Sequence, residues 1–170
     1  FLNESGATVA EDTVNQLVPN FGDGDFFESV EAFYSLELDW TLDALRRHFF
    51  VGNDARPVIS SLQNRNRLLI QLKVLYENGE IRGRISKSSL ERSGANYARH
   101  FGSEPAKSAF CVFSQNPWYL GRLAEPLEKL SLKRLIDFQS AYVETFRGIL
   151  GCTQSEQEGV LRDLAFRCLA

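Results

Sequence analysis

The run from Asp54 to Glu77, DARPVISSLQNRNRLLIQLKVLYE, constrains the fold more than any other part of the chain. It contains no glycine, and its one proline, Pro57, falls in the first turns, where a missing N–H leaves no helical hydrogen bond unmade. Val58, Ile59, Leu62, Leu68, Leu69, Leu72, Val74 and Leu75 recur at the spacing of a helix face. A helix of this length crosses a whole domain, so the remaining elements are expected to pack along it. From Phe26 onward the same period near 3.6 dominates, and alternating patterns flanked by paired turn signals are scarce. The expected fold class is all-α.

The neighbouring elements follow from caps and breakers. Phe26, Phe27, Val30 and Phe33 form one short apolar face, and Trp40, Leu42, Leu45, Phe49 and Phe50 a second, closed by Gly52 and Asn53. Gly79 and Gly83 bracket a basic stretch, Arg82 to Lys87, which reads as a solvated loop more readily than as a phosphate contact. One or two short helices are expected around Ser89 to Phe101. Asn116 and Pro117 are a good cap and first residue of a helix, and Pro126 should weaken or kink it. Ser131 caps a longer helix with Leu132, Leu135, Ile136, Tyr142, Val143, Phe146, Ile149 and Leu150 on one broad stripe, ended by Gly151. Thr153 and Glu156 form a capping box for a last helix that buries Val160, Leu161, Leu164, Ala165 and Leu169. Toward the start, Thr8 and Glu11 form another such box for a helix through about Leu17 or Val18. Pro19, Asn20, Gly22, Asp23, Gly24 and Asp25 then interrupt any regular element. A boundary is therefore expected there, separating residues 1–25 from a helical domain over 26–170.

The chain has 170 residues, 44% hydrophobic and 24% charged, which suits a folded domain with one sizeable core. Its formal net charge of −3 and pI near 5.5 disfavour a protein that coats phosphate backbone, though a local basic patch is compatible with them. No apolar run reaches the ~18 residues of a membrane span, and nothing at the start resembles a signal peptide. A soluble, cytoplasmic protein without membrane contact is expected. The 3 cysteines, Cys111, Cys152 and Cys168, are widely spaced and suggest buried free thiols in place of a disulfide framework or metal clip. There is no Met even at position 1, so Phe1 is expected to begin a part of a longer protein.

Catalytic chemistry finds little material. His48 and His100 are the only histidines, and they lack the spacing of a zinc site. No glycine cluster is followed by the Lys and hydroxyl of a phosphate loop, and the carboxylates lie scattered over helix surfaces. No catalytic, cofactor or metal residue is expected. The more informative polar groups are Arg65 and Arg67 in the long helix, with Arg122, Lys129, Lys133 and Arg134 around the segment NPWYLGRL. Each either anchors a partner surface through planar hydrogen bonds or lies along its own helix and reaches water.

The order of elements carries a resemblance. A capped helix and a Gly/Asp hinge lead to FFESVEAF and then DALRRHFFVGNDARPVISSLQNRNRLLIQLKVL. FSQNPWYLGRLAEPLEKLSLKRLIDFQSAYVETFRGIL and a closing helix complete it. Gly52, Pro57, Leu62, Arg65, Arg67, Leu68, Leu69 and Leu72 match the first diagnostic stretch. Phe113, Asn116, Pro117, Trp118, Leu130, Ser131, Leu135 and Arg147 match the second. Over nearly its whole length the chain resembles the C-terminal region of the delta subunit of bacterial DNA polymerase III, a clamp-loader subunit. The family often has an acidic residue four positions before Arg147; here Val143 stands there, with Glu144 beside it, and the region 79–109 is longer than usual.

The resemblance implies a helical bundle collar domain, preceded over residues 1–25 by a short remnant of the lid domain. It implies a non-catalytic assembly role in DNA replication, as a component of a DNA-directed DNA polymerase holoenzyme (a nucleotidyltransferase), with no cofactor. The implied partners are the delta-prime and tau/gamma subunits through the collar. The sliding clamp would be reached only through an N-terminal domain absent from this chain, and DNA only indirectly. Arg65, Arg67, Trp118, Tyr119, Arg122, Lys133 and Arg134 are the candidate subunit-interface residues, although Trp118 and Tyr119 are expected to pack an internal joint in preference to lying at a subunit contact. The competing expectation is a stand-alone helical DNA-binding or regulatory domain whose recognition helix opens at NPWYLGRL; Glu125, Glu128 and Asp137, interleaved with the positive residues, speak against it.

Overall fold

A computed structural model describes residues 26–101 and 108–170. The box at Thr8 and Glu11, the helix after it, the hinge at 19–25 and the assignment of residues 1–25 to a preceding domain lie outside the described residues. Within them the chain is helical and no strand is present: α1 (Phe26–Ser35), α2 (Leu38–Phe50), α3 (Ala55–Glu77), α4 (Lys87–Tyr97), α5 (Pro117–Leu123), α6 (Leu132–Ile149) and α7 (Gln154–Leu169), with short 3₁₀ turns at Ala98–His100, Val112–Ser114 and Glu125–Glu128. None of these helices is long and apolar enough to cross a membrane.

The long helix is the axis of the fold. α3 has 23 residues, about 34 Å at a rise of ~1.5 Å per residue, and lies along α6; α1 and α7 pack against it, and α2 against α1 and α7. Its start is fixed from several sides. Gly52 takes a left-handed φ of +81° that turns the chain out of α2. Asp54 then caps α3 by accepting from the Arg56 N–H at 2.7 Å. The next free donor, the Ala55 N–H, is bound by the Gln157 carbonyl oxygen of α7 at 2.9 Å. His48 Nε2 lies 2.9 Å from the Asp54 carbonyl. A buried helix start without such partners would leave donors unsatisfied.

Leu62, Leu69, Leu72 and Leu75 of α3 meet Leu135, Tyr142 and Ile149 of α6 and Leu161 and Leu164 of α7 in one core, all of them buried. Each such side chain contributes about 1.5–3 kcal/mol by leaving water. Two polar ties cross this core. Asn66 donates to the Leu135 carbonyl at 2.8 Å and to Gln139 Oε1 at 3.0 Å. The Tyr142 hydroxyl donates to the Tyr34 hydroxyl at 3.2 Å, which donates in turn to the Leu62 carbonyl at 3.1 Å. Burial raises the pKa of both phenols, so neither ionises in the physiological range.

The caps fall where the sequence places them. Ser86 and Ser89 close a capping box on α4, which supplies the expected short helix. Asn116 Oδ1 accepts from the Trp118 N–H at 2.8 Å with Pro117 at the first position of α5. The Pro126 break is the 3₁₀ turn after α5. Ser131 Oγ accepts from the Arg134 N–H at 3.1 Å, and the Thr153 N–H donates to Glu156 Oε2 at 2.8 Å. Gly151 follows α6 as expected but without the left-handed φ; the terminal turn closes through its N–H on the Gly148 carbonyl at 3.1 Å. Cys111 and Cys168 are buried free thiols, whereas Cys152 is only half-buried.

Three expected apolar faces are drawn too wide. Phe27 is exposed on α1, because Ser29, Val30, Ala32 and Phe33 turn inward; its ring lies against that of Phe26. On α2 the buried face is Thr41, Ala44, Leu45 and His48; Trp40 lies off that arc, its indole N–H donating to Glu28, and Phe50 is exposed. On α6 the core takes Leu135, Phe138, Ala141, Tyr142, Thr145 and Ile149, and leaves Ile136, Val143 and Leu150 on the outside.

Candidate functional site

The seven candidate interface residues divide into those held within the fold and those presented at the surface. Arg65 belongs to the first group: its guanidinium lies 4.7 Å over the Tyr34 ring and pairs with Glu31 at 2.6 Å, with only 10% of its side chain exposed. It clamps α1 to α3. Arg134 donates to the Cys168 carbonyl at 3.0 Å and lies over Phe138, placing a cation at the C-terminal end of α7 and joining it to α6. Lys133 pairs with Asp137 one turn on, at 2.6 Å, both largely in water; pairs of this kind contribute about 0.3–0.5 kcal/mol.

Arg67 is exposed and lies 5.2 Å over the ring of Phe110, itself 43% exposed. The loop carrying Phe110 is tied to α3 by Gln71, which donates to the Phe110 carbonyl at 2.7 Å and accepts from the Val112 N–H at 3.1 Å. Trp118 and Tyr119 are surface residues, 67% and 41% exposed. The internal joint instead uses Leu120 and Leu123, the buried face of α5. Arg122, one turn on, lies 5.5 Å from the Trp118 ring.

Two surface features emerge from these placements. The first is a groove of about 590 Å³ between α5 and the turn after α3, with Trp118, Arg122 and Glu125 on one wall and Tyr76, Gly83 and Arg84 on the other. Gly79 and Gly83, both with left-handed φ, turn the chain after α3, and the Tyr76 hydroxyl ties that turn down by donating to the Gly83 carbonyl at 3.1 Å. The stretch expected to be a solvated loop therefore helps to build a concave surface. Its signal in the sequence was the glycine pair.

The second feature is the outer face of α6. Ile136, Val143 and Leu150 are 50%, 39% and 67% exposed and stand at seven-residue intervals. Two turns of helix span close to seven residues, so the three side chains share one side of α6. This interval was legible in the sequence, but the side chains were assigned to the core stripe. Glu144 pairs with Arg167 of α7 at 3.0 Å beside this face.

Among the described residues no group of three or more His, Cys, Asp or Glu is placed to hold a metal ion. No family model, curated protein or solved structure matches the chain.

Proposed function

We propose that this chain is a non-catalytic assembly domain, the helical collar domain of a delta-type clamp-loader subunit, acting in the polymerase holoenzyme that replicates bacterial DNA. The observation that carries this reading is the second apolar side of α6. A helix that already buries Leu135, Phe138, Tyr142 and Ile149 inside its own domain also presents Ile136, Val143 and Leu150 outward. Burying such a side against a neighbouring helical domain is the ordinary driving force of stable association. The resemblance of the sequence to the delta subunit's C-terminal region is what points to the neighbours, the collar domains of delta-prime and tau/gamma. Arg67 and Phe110 lie at the surface as further contact groups, while Arg65 and Arg134 hold the domain's own helices together.

Mixing the chain with cognate delta-prime and tau/gamma collar domains and measuring the mass of the product tests this. A single complex containing one copy of the chain is expected. A chain that stays alone, under conditions where the full-length subunit assembles, overturns the proposal.

A further inference from the structure

We infer that the groove between α5 and the Gly79–Gly83 turn is a docking site for a short acidic peptide segment of a partner protein, one bearing an aliphatic or aromatic side chain among Asp or Glu residues. This inference does not depend on the collar reading. It rests on charge complementarity and on what the groove presents. Arg84 comes from the turn and Arg122 from α5, and both line the same groove. Among the described residues neither forms an ion pair with a carboxylate. Beside Arg122 the Trp118 ring, 67% exposed, carries that guanidinium at 5.5 Å and adds apolar surface to the same wall.

Planar guanidinium groups bind carboxylates with two parallel hydrogen bonds, and Trp and Arg are among the residue types enriched where binding energy concentrates. The wall is also firm: Asn116 and Pro117 cap and start α5, and Leu120 and Leu123 hold it to the core, so little ordering is required on binding. A peptide fits better than a nucleic acid strand. Glu125 lies on the same wall as Arg122, where it opposes a continuous phosphate backbone but lets a peptide place an amide or apolar residue.

The chain has 2 tryptophans, Trp40 and Trp118, so a Trp40→Phe variant makes Trp118 the sole reporter of its own groove. The probes are short acidic peptides carrying one Phe and one Leu, the same peptides with Lys in place of the acids, and an oligothymidine, each titrated into the full chain. The acidic peptides are expected to change Trp118 fluorescence, to bind about tenfold more weakly to Arg84→Glu and to Arg122→Glu, and to weaken as salt rises. Circular dichroism of each variant checks that the fold is kept. The inference is overturned if the Lys peptides bind as well, if both charge reversals leave the affinity unchanged, if no acidic peptide alters the signal, or if oligothymidine binds more tightly and displaces the peptide.

Discussion

At the scale of single residues, the same side-chain type serves opposite ends according to what surrounds it. Arg65 and Arg122 are both arginines on helices beside an aromatic ring, yet Arg65 is enclosed with Glu31 and Tyr34 while Arg122 stands in water over Trp118. Sequence reasoning identifies both as notable and cannot separate them, because the separation depends on α1 lying against α3. The tyrosine pair makes a sharper case. Tyr34→Phe removes the acceptor of a buried hydroxyl and should destabilise by about 1–3 kcal/mol, whereas Tyr142→Phe loses only one bond and should cost about 1 kcal/mol. In urea unfolding the double variant should cost less than the sum of the two, since the orphaned group is gone. Asp54 gives a pH signature. Its capping bond and the Arg56 side chain hold its pKa down at about 2, below the ordinary ~3.9 of an unfolded Asp. Its contribution is therefore fully present above about pH 4 and is lost as pH falls toward 2. Asp54→Ala should cost about 1 kcal/mol at pH 7 and flatten the wild-type decline in stability across that acid window.

At the scale of elements, caps and breakers were legible and the width of apolar faces was not. Asn116, Ser131, Thr153 and Pro126 act locally, so their roles can be read from a few neighbouring residues. The stripe on α6 depends on how much of its circumference α3 and α7 cover, which no local pattern records. Its eight expected side chains include Ile136, Val143 and Leu150, which lie outside the covered arc, and it omits Phe138, which lies within it. This difference predicts opposite outcomes on one helix. Leu135→Ala should destabilise by about 2–5 kcal/mol through loss of buried area and a residual cavity. Val143→Glu, on the exposed side, should change the unfolding free energy of the isolated chain by no more than ~0.5 kcal/mol. Chemical denaturation of the two variants side by side distinguishes a core position from an exposed one.

At the scale of the whole molecule, the long helix Ala55–Glu77 determined the class of fold from the sequence, because a helix crossing the domain requires partners along its length. The basic turn at Arg84 did not reveal itself as part of a groove, since its partner wall lies beyond α4, far along the chain. The proposed assembly role joins these scales: α3 and α6 form a shared core, and the proposal assigns the remaining apolar side of α6 to a neighbour. Native mass spectrometry of the chain mixed with cognate delta-prime and tau/gamma collar domains, wild type beside Val143→Glu, is the most direct measurement. The account predicts one complex with a single copy of the wild-type chain and its loss or marked weakening in a variant that remains folded. A wild-type chain that fails to join, or a Val143→Glu chain that joins equally well, would contradict it.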